Sequence, residues 1–127
     1  MAWQTLAENS LSGGSASTLS SGTFTSKKYL LVLIFAPSAR VYLSVNGDNT
    51  QSYAYRRQEE GGSDSTYVNQ EQIKLDRNTT ESSFIYFYAY NDPNEEKLFV
   101  LQASSDNESG ASTAPKRQEI VFKWTNT

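Results

Sequence analysis

The sequence predicts an all-β fold, an antiparallel sandwich or small barrel of eight or nine short strands. Three observations predict it. No window sustains the 3.6-residue apolar spacing of an amphipathic helix. Apolar residues instead alternate or come in short runs rich in Val, Ile, Tyr and Phe. Clusters of Gly, Pro, Asn and Asp punctuate those runs about every ten residues. At 127 residues the chain can bury one core but not two, so residues 1–127 read as one domain, with 1–26 as an arm and first strands.

In chain order, segment 3–11 carries Trp3, Leu6 and Leu11 and reads as a strand or an arm. Ser12-Gly13-Gly14-Ser15 is a flexible break, and 19–25 a weak strand. Lys28-Tyr29-Leu30-Leu31-Val32-Leu33-Ile34-Phe35 is a strong strand, stopped at Pro37 because proline cannot donate to a ladder. Segment 40–45 alternates, with Val41, Leu43 and Val45 on one face. Asn46-Gly47 then marks a tight turn, since both residues accept positive φ. Segment 52–57 resumes as a strand with Tyr53 and Tyr55 together, 59–64 is a loop, and 72–75 a short strand. Asp76-Arg77-Asn78 turns into the second strong strand, 84–90, closed by Asn91-Asp92-Pro93-Asn94. Segments 97–103 and 119–124 complete the set, with a long polar loop between them. The core expected from these runs is Leu30, Val32, Ile34, Val41, Leu43, Val45, Ile85, Phe87, Leu98, Val100 and Phe122.

Strands that are apolar on both faces carry extra information. In 84–90 one face offers Ile85, Phe87 and Ala89, and the other Phe84, Tyr86, Tyr88 and Tyr90. A sandwich strand ordinarily buries one face and wets the other, so the second face is expected to be covered by a loop, an arm or another subunit.

Composition narrows the chemistry. The chain has no histidine and no cysteine, but eight tyrosines, six phenylalanines and two tryptophans. The missing types supply most nucleophiles, neutral-pH bases and zinc ligands, so no catalytic residue, metal or cofactor is assigned and the protein is not expected to be an enzyme. A hydrolase working through carboxylates alone is the weakest alternative. Glu59-Glu60 and Glu95-Glu96 fall in turns, and adjacent acids on a strand diverge instead of flanking a cleft. Asn46, Asp48 and Asn49, or Asp92, Asn94 and Glu95, or Asp106, Asn107 and Glu108 offer calcium-type oxygens, but none follows the EF-hand spacing. Zero cysteine excludes a disulfide framework. A net charge of −3 argues against wrapping nucleic acid, and no apolar run is long enough for a membrane helix. The N-terminus has no secretory signal pattern, so the sequons Asn78-Thr79-Thr80 and Asn107-Glu108-Ser109 read as chance matches.

Scattered segments carry a resemblance: Met1-Ala2-Trp3-Gln4-Thr5-Leu6-Ala7, Asn46-Gly47-Asp48-Asn49, Tyr53-Ala54-Tyr55-Arg56, Ala114-Pro115-Lys116-Arg117-Gln118-Glu119 and Lys123-Trp124-Thr125-Asn126-Thr127. Through them the chain resembles small virion-associated proteins of marine and environmental tailed phages, along nearly its whole length. Members of that group continue past the Trp-Thr-Asn-Thr segment through at least one further strand. The resemblance implies a jelly-roll-like antiparallel β-sandwich of about eight strands, a place in the virion after synthesis in the host cytoplasm, and partners that are other virion proteins.

The expected function is that of a capsid decoration or cement subunit, self-associating (as a trimer, on this reading) and docking on the major capsid protein. Trp3, Leu6, Leu11, Tyr86, Tyr88 and Tyr90 are the expected interface. The alternative is a carbohydrate- or receptor-binding tail module that stacks sugars on Tyr53, Tyr55 and Tyr67, since tyrosine serves protein and sugar surfaces alike.

Overall fold

The structure, a computed structural model, describes residues 3–11, 18–75, 80–107 and 110–126. Eight strands follow one another: β1 (Tyr29–Ala36), β2 (Val41–Leu43), β3 (Tyr53–Glu59), β4 (Ser65–Gln70), β5 (Ile73–Leu75), β6 (Ser83–Tyr90), β7 (Lys97–Ser105) and β8 (Lys116–Trp124). They form an all-β antiparallel sandwich with unequal layers. One sheet has six strands in the order β1-β6-β7-β8-β3-β4, and the other holds only β2 and β5.

Turn chemistry sets the connections. Asn46 and Gly47 both sit at positive φ, 52° and 70°, and Asp48 N–H closes the turn on Val45 O at 2.9 Å. Glu60 and Gly61 repeat that signature at 50° and 74° between β3 and β4. The loop expected at 59–64 is therefore a hairpin turn, and β4 a strand the sequence did not reveal. Ser65 to Gln70 holds mostly polar residues, so its pairing rests on the backbone ladder to β3. The weak strand expected at 19–25 does not form. Gly22 at φ 70° breaks the extension, and residues 18–27 run exposed and without regular structure. The Ser12-Gly13-Gly14-Ser15 break, the Asp76-Arg77-Asn78 turn and the Asn78 sequon lie outside the described residues.

The core is the inner face of the large sheet closed by the small one. Cross-strand rows run Phe87, Leu101, Ile120 and Ala89, Phe99, Phe122, Tyr55. Phe99 and Phe122 stack in parallel with centroids 4.1 Å apart, and Phe87 meets both edge-on. Ile73 and Leu75 are fully buried from the opposite sheet, with Val41, Leu43 and Val45 packed beside them. Ile85 and Phe122 are buried as expected, and Leu30, Ile34 and Phe87 are partly so. Leu98 and Val100 are not core. β7 is apolar on both faces, and pairing Tyr90 with Leu98 and Tyr88 with Val100 turns Phe99, Leu101 and Ala103 inward instead.

Candidate functional site

The outer face of the six-stranded sheet is where the molecule departs from an ordinary sandwich. Register places its side chains in rows. Tyr29, Tyr90 and Leu98 lead to Lys123; Leu31, Tyr88, Val100 and Val121 lead to Arg56; Leu33 and Tyr86 lead to Gln102, Glu119 and Gln58; Phe35 and Phe84 lead to Ser104 and Arg117. The face thus divides into an apolar block on β1, β6, β7 and Val121, and a charged border on β8 and β3. Leu33 is 63% exposed, Phe35 67%, Val100 55% and Val121 51%. With Tyr29, Phe84, Tyr88 and Leu98 also exposed, eight large side chains at roughly 100 Å² each present about 800 Å² of mainly apolar surface. Soluble monomers rarely expose more than about 300–600 Å² in one patch.

The interface residues expected from sequence divide between this face and the arm. Tyr88 is half exposed in the middle of the block. Tyr86 and Tyr90 are partly buried: the Tyr86 hydroxyl donates to Gln102 Oε1, and the Tyr90 ring leans on Tyr29 at 5.8 Å. Trp3 and Leu11 stand exposed on the arm, and Leu6 is partly buried. Sequence reasoning did not name Leu33, Phe35, Leu98, Val100 or Val121 for this surface. Their signal was there in the doubly apolar runs 28–35, 97–101 and 120–122, but a run apolar on both faces does not say which face turns outward.

The sugar-stacking tyrosines are placed differently from the expectation. Tyr53 is 1% exposed and Tyr55 3%, so their rings are packing elements, not platforms. The Tyr67 ring stacks on Tyr55 at 4.6 Å with Arg57 over it at 5.0 Å, which leaves its faces taken. Around these residues runs a shallow groove lined by Arg40, Tyr42, Arg57, Gln70 and Lys74.

The turn carboxylates likewise have structural duties. Asp48 Oδ1 accepts from the Thr50 N–H at 2.8 Å and hydroxyl at 2.6 Å, and Oδ2 from Trp124 Nε1 and Asn126 Nδ2, each at 2.6 Å. Those four bonds use the lone-pair capacity a cation would need. The Thr50 hydroxyl first, then the Trp124 indole, hold this carboxyl well below the usual carboxylate range. Asp92 caps Asn94 N–H at 3.0 Å, which lowers its pKa, and lies 3.5 Å from Lys28 Nζ. Glu59 pairs with Arg57 and Glu96 with Lys123, while Glu60 Oε1 accepts from Arg117 N–H. Among the described residues no three acids gather in a metal-holding group. Nor, among the described residues, is any helix long and apolar enough to cross a membrane.

No protein-family model matches the chain, and neither a curated protein nor a solved structure matches it.

Proposed function

We propose that this protein is an assembly subunit of a phage particle, a decoration or cement protein that works by burying its outer sheet face against other virion proteins. The observation that carries the reading is the apolar block itself. About 800 Å² is what one partner contributes to a standard-size interface, and the block has the anatomy of one: aromatic and aliphatic centre, charged border of Arg56, Arg117, Glu119 and Lys123. A sequence without histidine or cysteine agrees with a role in binding rather than catalysis. The phage setting comes from the resemblance of the scattered segments, two of which meet where Asp48 binds Trp124 and Asn126.

The exposed arm adds reach. Residues 3–11 and 18–27 carry Trp3, Leu11, Leu19 and Phe24 outside the core, available to order on a neighbour. The experiment is to mix the protein with undecorated phage heads and sediment the heads. Wild type should co-sediment, Val100→Lys should not, and deletion of residues 1–11 should weaken binding without unfolding the sandwich. Binding to a glycan array with no binding to heads would replace this reading with the receptor-binding one.

A further inference from the structure

Among the described residues β1 and β4 are the two edge strands of the large sheet, and they are built differently. β4 is blunted. It is polar, Asn69 within it sits at φ 52°, and its register with β3 shifts between Tyr53 and Tyr55. Irregularity of this kind is how sheets keep an edge from pairing with another chain. β1 has none of it. All eight of its residues pair in unbroken register with β6, from Tyr29 opposite Tyr90 to Ala36 opposite Ser83. It contains no charge, glycine, proline or left-handed residue. Its other side is a line of backbone donors and acceptors about 26 Å long. The flanking side chains are also incompletely covered: Leu33 and Phe35 are exposed outside, and Leu30, Val32 and Ile34 are only half-buried inside.

We infer that β1 is a strand-pairing edge and that its occupant is β1 of a second copy, antiparallel about a twofold axis normal to the sheet. An unsatisfied strand edge selects an extended backbone, and an uncharged, apolar strand has nothing with which to repel its own copy. The axis passes at Val32 or Leu33 and keeps both inner faces on the same side. With Leu33 on the axis, Leu31 meets Phe35 outside and Val32 meets Ile34 inside, so apolar residues face apolar residues throughout. Lys28, the charge adjoining the strand, falls at opposite ends of the pair. Head-to-tail pairing of β1 with β4 would propagate as a filament, and the irregular β4 opposes it. The product is a dimer with one continuous twelve-stranded sheet, in place of the trimer expected from sequence. The two apolar blocks then lie side by side on one surface of about 1,600 Å². The inference goes beyond the assembly reading, adding self-association through a sheet edge to docking through the outer face.

The cysteine-free sequence makes disulfide trapping specific. Val32→Cys, Leu33→Cys and Val121→Cys are oxidised mildly at equal, dilute concentration, with circular dichroism confirming the sheet in each. Position 121 is as exposed as many of its neighbours but lies on β8, away from the edge. Position 32 or 33 should give about tenfold more covalent dimer than position 121, because pairing raises the local thiol concentration. Leu33→Lys, or Leu33→Thr should lysine unfold the sheet, should abolish the dimer in sedimentation. Equal trapping at all three positions overturns the edge and indicates face-to-face stacking of copies. No trapping alongside retained binding to heads also overturns it, while leaving the docking face standing. Trapping at the edge without head binding keeps the inference and removes the virion reading.

Discussion

The indole N–H of Trp124 donates to Asp48 Oδ2 at 2.6 Å, tying the end of the last strand to a turn 76 residues earlier. Tyr53 completes the latch: its hydroxyl accepts from Val45 N–H at 2.7 Å and donates to Asp48 O at 3.0 Å. The Asn46-Gly47 turn is thereby held against the β3–β8 end of the sheet, and the small β2–β5 layer stays over the core. Trp124→Phe keeps a ring there but removes the donor. It should cost about 2 kcal/mol in urea unfolding, whereas an effect within error would mean the latch is idle.

The same carboxyl makes stability pH-dependent. Its folded pKa lies below the unfolded value near 3.9, so its stabilisation is fully present above about pH 4 and drains away as acid protonates it in the folded state. Asp92 is shifted in the same direction. The denaturation midpoint of wild type should fall from pH 5 to pH 2.5, and Asp48→Asn should start lower and fall less steeply. Parallel curves for the two proteins would contradict the hydrogen-bond network.

Burial predicts a graded response in the core. Phe122→Ala should cost about 3–5 kcal/mol, because a stacked, buried ring leaves a cavity. The ring of Phe87 is partly exposed, so Phe87→Ala should cost about 2–3 kcal/mol, less than full burial would imply. Val100→Ala should cost under about 1 kcal/mol. A larger cost for Val100→Ala than for Phe99→Ala would show that β7 is turned over.

The outer face should tolerate what the core does not. Val100→Thr with Val121→Thr keeps β-branched shape and should change stability by about 0.5 kcal/mol or less per site. Retention on a hydrophobic column should nonetheless drop. A melting temperature lowered by many degrees would mean that part of the chain already covers this face.

Chelation provides a separate check on the Asp and Asn turns. EDTA should leave the melting temperature unchanged, and added calcium should not raise it, because the Asp48 oxygens are already committed to Thr50, Trp124 and Asn126. Calcium-dependent stabilisation would relocate a metal site to one of these turns.

How much of this was legible beforehand depends on which physical term decides each feature. Strand identity is local: the runs at 28–35, 84–90 and 97–103 and the Asn46-Gly47 turn carry their conformation in side-chain shape and backbone freedom, so sequence alone placed them within a few residues. The hairpin to β4 was missed because Ser65 to Gln70 has little apolar signal and is held by backbone pairing with β3. Facing was beyond sequence wherever both parities are apolar. Only the register of β7 on β6 sends Phe99 inward and Val100 outward. Tyr53 and Tyr55 could equally have been surface rings, until the β3–β8 ladder and the covering of Ile73 and Leu75 buried them. The sequence by itself determined that two apolar faces would need cover. The tertiary structure decided that the small β2–β5 layer covers one of them, and that the other, on β1, β6 and β7, stays open, because two three-residue strands close only one side of a six-stranded sheet.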